Sequence, residues 1–246
     1  ETLSNVPHIL ARGSEWFRAM GTPESPGNVL ATVVGDVVSP GVAEVALGST
    51  LRRVIDEVGG GVAPGHRVKA VFSGVANPVV TSEHLDVAVS YEGFASIGSG
   101  MGSAGFIVFD DTACMVDAAR KFSRFLWIES CGQCPPCKLG SGEITARLEA
   151  IESGSGTDRD IAVISGWLDR VTDGSRCFLA TEEQRIVSSV LRAFPEEFAE
   201  HIEVQGCPRL ERRPLAKLVD LADGRAWYDE SFWLKRPDWT YDQGQN

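Results

Sequence analysis

The chain has 246 residues, enough for two or three compact units at about 100–200 residues per domain. Its 34 acidic residues against 23 basic ones leave a formal charge of −11, which argues against nucleic acid or anionic lipid as a partner. No apolar run approaches the roughly 18–20 residues of a membrane span, and the start lacks the basic and apolar regions of an export signal. Six cysteines, three of them clustered, do not suggest a secreted disulfide scaffold, so a reducing, cytoplasmic setting is expected, at most peripheral to a membrane complex.

Taken in order, His8 to Met20 carries Ile9, Leu10, Trp16, Phe17 and Met20 at helical spacing. Thr22-Pro23-Glu24-Ser25-Pro26-Gly27 breaks that helix. Leu30 to Val38 and Val42 to Leu47 are rich in β-branched residues around the turn Ser39-Pro40-Gly41, and predict two strands. Thr50 to Val58 predicts a short helix with Leu51, Val54, Ile55 and Val58 on one face, ended by Gly59-Gly60-Gly61. Further strands are predicted at Lys69 to Ser73 and Asn77 to Val80. This β-β-α-β order is the one a β-grasp domain requires.

Gly100-Met101-Gly102-Ser103-Ala104-Gly105 fits the G-x-G-x-x-G of dinucleotide sites. Such a site needs a strand before it and a helix after it. Here Phe106-Ile107-Val108-Phe109 follows and predicts a strand, so no helix N-terminus is available for a pyrophosphate.

Asp111-Thr112 predicts a cap for a helix over Ala113 to Leu126, with Met115, Ala118, Ala119, Phe122, Phe125 and Leu126 on its buried face. Cys114, near its start, is expected to be a small buried hydrophobe. Then comes Glu129-Ser130-Cys131-Gly132-Gln133-Cys134-Pro135-Pro136-Cys137, three cysteines in seven residues. Cys177 lies forty positions after Cys137. A C-x2-C-x2-C run with a remote fourth cysteine is the spacing that holds a [4Fe-4S] cluster on Cys131, Cys134, Cys137 and Cys177. Zinc is the rival reading, but zinc sites more often use two separated C-x2-C knuckles or add His, and no His lies near these segments. Lys138 follows the motif directly and either offsets its negative charge or is simply solvated.

Three more helices are predicted: Gly142 to Glu152, Arg159 to Val171 capped by Thr157-Asp158, and Thr181 to Phe194, with Phe198 extending the last apolar pattern. With 113–126 they make a four-helix bundle. The cluster would sit at one end, because two helices between the cysteine segments bring Cys177 back to the loop 131–137. Cys207 lies past the bundle and is expected to be a bystander. The tail from Val204 carries Arg212-Arg213-Pro214-Leu215-Ala216-Lys217-Leu218, then Trp227, Tyr228, Phe232, Trp233, Trp239 and Tyr241. That aromatic density is untypical of a disordered tail, and suggests either an extension wrapping its own domain or a docking strap for a partner.

Glu129-Ser130-Cys131-Gly132-Gln133-Cys134 with Pro136-Cys137 resembles the E-S-C-G-x-C-x-P-C motif of the NADH dehydrogenase flavoproteins. These are the 51-kDa subunits of complex I, with relatives in NAD-dependent formate dehydrogenases and hydrogenases. Glu1-Thr2-Leu3-Ser4-Asn5-Val6-Pro7, Glu15-Trp16-Phe17 with Gly21-Thr22, and Gly35 with Pro40-Gly41-Val42 resemble further segments of the family, in order, over residues 1 to about 203.

The resemblance implies an α+β chain: a β-grasp (soluble-ligand-binding) domain followed by a four-helix bundle carrying the iron–sulfur cluster. It implies the end of a flavin domain and linker at 1–27, the β-grasp domain at 28–95, a Gly-rich loop and strand at 96–112, the helical iron–sulfur domain at 113–203, and an aromatic extension at 204–246. Electrons would pass from reduced FMN through one [4Fe-4S] cluster to further iron–sulfur centres. FMN and NADH are expected only on a flavin domain that this sequence does not contain, with no catalytic acid, base or nucleophile here. Implied partners are the other subunits of an NADH-oxidising complex, including an iron–sulfur protein acceptor. The alternative is a noncatalytic β-grasp interaction module with structural zinc.

Overall fold

A computed structural model describes residues 2–209, 218–222 and 225–240. Two compact units emerge: residues through Asp111 with Asp220–Trp227, and the described residues of Thr112–Val219 and from Tyr228 on.

The first unit opens with helices α1 (Thr2–Arg12) and α2 (Ser14–Arg18). The single helix expected over 8–20 is thus two, broken at Gly13, whose φ of 87° lies outside the helical region. Strands β1 (Asn28–Gly35) and β2 (Gly41–Ala46), helix α3 (Leu51–Gly59), strands β3 (Val68–Ser73) and β4 (Val80–Thr81), helix α4 (Tyr91–Ser96) and strand β5 (Gly105–Asp110) follow. The strand expected over 77–80 shrinks to two residues. Helix α4 was not anticipated; Ser90 caps it, its side chain accepting from the Gly93 amide.

The sheet order is β2-β1-β5-β3-β4. β1 pairs β5 in parallel, and the β1–β2, β3–β5 and β3–β4 pairs are antiparallel. Alternation along the strands puts Val29, Ala31, Val33, Phe106 and Val108 into one core with Leu51, Val54 and Ile55 of α3. The Phe94 and Phe106 rings stack there at 5.8 Å.

The G-x-G-x-x-G stretch ends directly in β5, as its reversed context predicts. Its first glycine serves packing: a Cβ on Gly100 would lie 2.2 Å from Asn77 Oδ1. Gly35 ends β1 with φ +97°, and a Cβ there would sit 2.2 Å from the Val108 carbonyl oxygen. Gly35→Ala should therefore cost about 2 kcal/mol of stability from strained backbone and overpacking. Urea unfolding with an unchanged midpoint would contradict this.

The second unit is helical. α5 (Met115–Glu129), α6 (Pro135–Ser153), α7 (Asp158–Leu168), α8 (Leu179–Ala193) and α9 (Pro195–Val204) pack around Phe122, Leu126, Ile144, Leu148, Ile164, Ile186 and Phe198. Three expectations need correction. The cap of α5 is Cys114, not Asp111-Thr112: its sulfur accepts from the Asp117 amide at 3.3 Å. α6 begins at Pro135, seven residues before the expected Gly142. A proline needs no amide partner in a first turn, so the two prolines start a helix rather than stiffen a loop. Phe198 belongs to a separate helix, α9, because Pro195 cannot continue the ladder of α8 and instead opens a new one. Thr157 caps α7 as expected, through a capping box with Asp160 that was not anticipated.

Of the tail, residues 210–217 and Tyr241, and the side chain of Trp233, lie outside the described residues. The described part of 228–240 wraps its own unit. Phe232 is buried and its ring packs 5.5 Å from Phe125. Trp239 Nε1 donates to the Ile128 carbonyl at 2.7 Å, and Lys235 Nζ meets Glu129 Oε1 at 2.6 Å. Among the described residues, no helix is long and apolar enough to cross a membrane.

Candidate metal centre

The two cysteine segments converge. Cys131, Cys134, Cys137 and Cys177 line one small cavity together with Ser130, Ser175, Leu179 and Ala180. Cys131 lies in the turn after α5, Cys134 is the residue that precedes α6, and Cys137 sits in that helix's first turn. Cys177 stands just before α8. Two helices intervene between the segments, as expected, and Arg176 Nη1 reaches across to Gln133 Oε1 at 3.4 Å. The cavity floor is apolar: Cys137, Val171 and Ala180 are buried together, with Cys134 and Leu179 against them. Cys131 and Cys177 are exposed, so one side of the cavity is open to solvent.

Zinc and an iron–sulfur cluster ask different spacings of their thiolates. Tetrahedral ligation of one zinc at 2.3 Å would draw thiolates to about 3.8 Å apart. A four-iron cubane spaces its thiolates much more widely, because each is bound to a different iron. All four donors are thiols, the set that soft iron–sulfur clusters take.

Electrostatics sharpen the point. Burial pushes the Cys137 thiol up, and the neighbouring Cys177, Cys134 and Glu183 charges add to the shift, while a hydrogen bond with Ser130 opposes it. Ser130 Oγ lies 3.4 Å from Cys137 Sγ. Several thiolates in one cavity repel one another, so a cationic core is what lets them share it.

Two residues beside the cavity were missed or left undecided by sequence reasoning. Ser130 was visible only as a letter of the motif. Lys138 is half-buried, with its charge near those of Cys137 and Cys131. Its Nζ donates to the carbonyls of Trp127, Ser130 and Pro237 at 2.8, 2.9 and 2.7 Å. Burial pulls its pKa down and the surrounding negative groups oppose that. It fixes the end of α5, the turn into the cysteine loop and the C-terminal segment at one point.

Cys114 and Cys207 do not line this cavity. Behind the cavity, Glu183 of α8 is fully buried. Its Oε1 accepts from Ser123 Oγ at 2.6 Å, and Ser123 in turn contacts Thr145 Oγ1 at 2.8 Å. Among the described residues, its Oε2 has no hydrogen-bond partner. Burial pushes its pKa up to about 8, with the Ser123 bond opposing.

Comparison with known proteins agrees with this geometry. Residues 117–201 match the NADH-ubiquinone oxidoreductase-F iron-sulfur binding region, and residues 30–77 match the SLBB domain. The first match contains all four cavity cysteines and excludes Cys114 and Cys207. The F subunit of the NADH-quinone oxidoreductase of Streptomyces coelicolor is 38% identical over 232 residues, covering 94% of this chain and 49% of the relative. The HndC subunit of the NADP-reducing hydrogenase of Solidesulfovibrio fructosivorans is 34% identical over 209 residues, covering 85% and 43%. The chain thus spans about half the length of the curated relatives it matches. Among solved structures, an NAD+-reducing [NiFe]-hydrogenase in the H2-reduced state aligns with TM-score 0.70 at 29% identity, over 84% of this chain and 34% of that one. The mixed α/β fold, the cysteine spacing and these matches agree, and the chain belongs to the family of NADH dehydrogenase flavoproteins, corresponding to its C-terminal part with the SLBB domain and the 4Fe-4S region.

Proposed function

We propose that Cys131, Cys134, Cys137 and Cys177 hold one [4Fe-4S] cluster, and that this chain is the electron-transfer portion of an NADH-oxidising assembly. The observation that carries the reading is the convergence of four thiols from two segments on one cavity, inside the matched region. When bound, such a cluster supplies one-electron transfer. The chain's own residues hold and shape the site. The first turn of α6 presents Cys137 on a rigid element. Ser130 offers a hydroxyl to its sulfur. Lys138 holds the loop by three carbonyls without spending a proton on a thiolate. The open side at Cys131 and Cys177 gives a donor or acceptor close approach.

In this reading the electrons come from reduced FMN, charged by NADH, on a flavin domain of the same protein or a separate chain. They leave to a further iron–sulfur centre on a partner subunit. The SLBB match supports reading residues 28–95 as a β-grasp domain. Residues 113–203 form the helical iron–sulfur domain, a four-helix bundle to which α9 is added.

The test is composition. Anaerobically purified full chain should contain about four iron and four sulfide, with brown absorbance that dithionite bleaches. One equivalent of zinc in the cavity, with no sulfide, would replace the electron-transfer reading by the structural-zinc module.

A further inference from the structure

A second donor set lies in the helical unit, away from the four-cysteine cavity. Cys114, His201 and Cys207 each offer one ligand atom, and these atoms lie within 4.8 Å of one another. Cys114 caps the start of α5, His201 lies in the last turn of α9, and Cys207 follows α9 by three residues. Cys114 is 7% exposed and His201 0%. Cys207 is half-buried.

The histidine is already oriented as a ligand. Its Nδ1 lies 2.6 Å from the Glu197 carbonyl oxygen, one turn earlier in α9. A carbonyl only accepts, so Nδ1 carries a hydrogen, and Nε2 is the nitrogen that faces Cys114 Sγ, 3.2 Å away. A hydrogen bond from the far nitrogen to a backbone carbonyl is how metal-bound histidines are commonly held. Burial pushes the Cys114 thiol's pKa up, and the Asp117 amide opposes that rise by donating to its sulfur at 3.3 Å. Glu197 Oε2 stands next to it, but is engaged by the Met115 amide at 2.9 Å and Arg209 Nη1 at 3.4 Å.

We propose that Cys114, His201 and Cys207 form a mononuclear Zn2+ site distinct from the iron–sulfur site. Two thiolates, a neutral imidazole and a divalent cation sum to zero charge, which suits a buried position. The Cys2His set is one that zinc accepts, with a fourth position left for water. This set is compact, as a single ion requires. The site ties the start of α5 to the end of α9 and so closes the two ends of the iron–sulfur region on each other. It rests on the proposed function only in that the cluster uses neither Cys114 nor Cys207.

The experiment exposes the iron-loaded full chain to one equivalent of Zn2+, removes the free metal, and measures zinc and iron per chain together with the zinc X-ray absorption edge. About one zinc should be retained, with two sulfurs near 2.3 Å and one or two lighter donors at about 2.0–2.1 Å. His201→Gln and Cys207→Ala should each weaken zinc retention by about tenfold or more, with iron unchanged. Cys207 is only half-buried, so its variant keeps the test open if the buried histidine variant does not fold. Zinc is counted whether or not iron loads, so a failure of the cluster reading remains separable. The proposal is overturned if the wild type keeps no zinc, if Cys207→Ala keeps as much as wild type, or if the zinc shell is all sulfur. A Cys114–Cys207 disulfide in anaerobically isolated protein would overturn it as well.

Discussion

Cys177→Ala should strip most of the iron from the chain and with it the brown absorbance, although residue 177 is remote from the C-x2-C-x2-C motif. Four irons of a cubane need four thiolates, and the cavity offers the four that surround it. With Cys177 gone one iron loses its protein ligand on the open side of the cavity, where Cys131 and Cys177 are exposed. That iron is the first to be lost, and the rest follow on exposure to air. Because Cys177 is exposed, the substitution leaves no hole in the core, and helix content should stay at the wild-type value. Iron analysis and far-ultraviolet circular dichroism on the same sample measure both. Cys114→Ser should keep its full iron. Retention of iron by Cys177→Ala with loss in Cys207→Ala would move the fourth ligand to Cys207.

Glu183→Gln should abolish a pH-dependent loss of stability that the wild type carries. The folded carboxyl has its pKa raised from 4.5 to about 8. In the unfolded chain it ionises near the ordinary value. Between those two pH values the unfolded state releases a proton that the folded state retains, so stability falls as pH rises, and levels off above about 8. From pH 5.5 to pH 8 the loss amounts to about 3 kcal/mol. Glutamine keeps an oxygen for Ser123 and has no proton to release. The Tm advantage of the variant should therefore widen by roughly 6–12 °C across that interval, for a chain of this size. Anaerobic melts of both proteins at the two pH values measure it. Parallel profiles would mean that the carboxylate is ionised and compensated in the folded protein.

The convergence of the four cysteines on one cavity was legible because their spacing is local. Three thiols spaced by two residues must share a loop, and two intervening helices explain how a fourth returns to it. The decoy glycine motif was legible for a similar reason, since the strand after it could be recognised. Helix boundaries at prolines were not. Pro135 and Pro136 look like loop residues and are first-turn residues, while the apolar pattern runs on across Pro195 although the helix does not. The Cys114–His201–Cys207 set was invisible because each member has an ordinary local role and only the packing of α9 against the start of α5 brings them together. Glu183 looked like one more polar residue on an amphipathic helix. Its burial depends on Ser123 and Thr145 from two other helices.

The Lys138 clamp has a different kind of consequence. All three of its acceptors are backbone carbonyls, at Trp127, Ser130 and Pro237. A carbonyl survives any substitution of its own side chain. Exchange of residues 127 or 237 leaves the clamp intact so long as the chain keeps its path, whereas exchange of Lys138 releases three segments at once. The constraint therefore falls on one letter of the sequence and on the route of the backbone. Insertions or deletions that reroute the segment around Pro237 would disturb the cysteine loop about a hundred residues away, while point changes there would pass unnoticed.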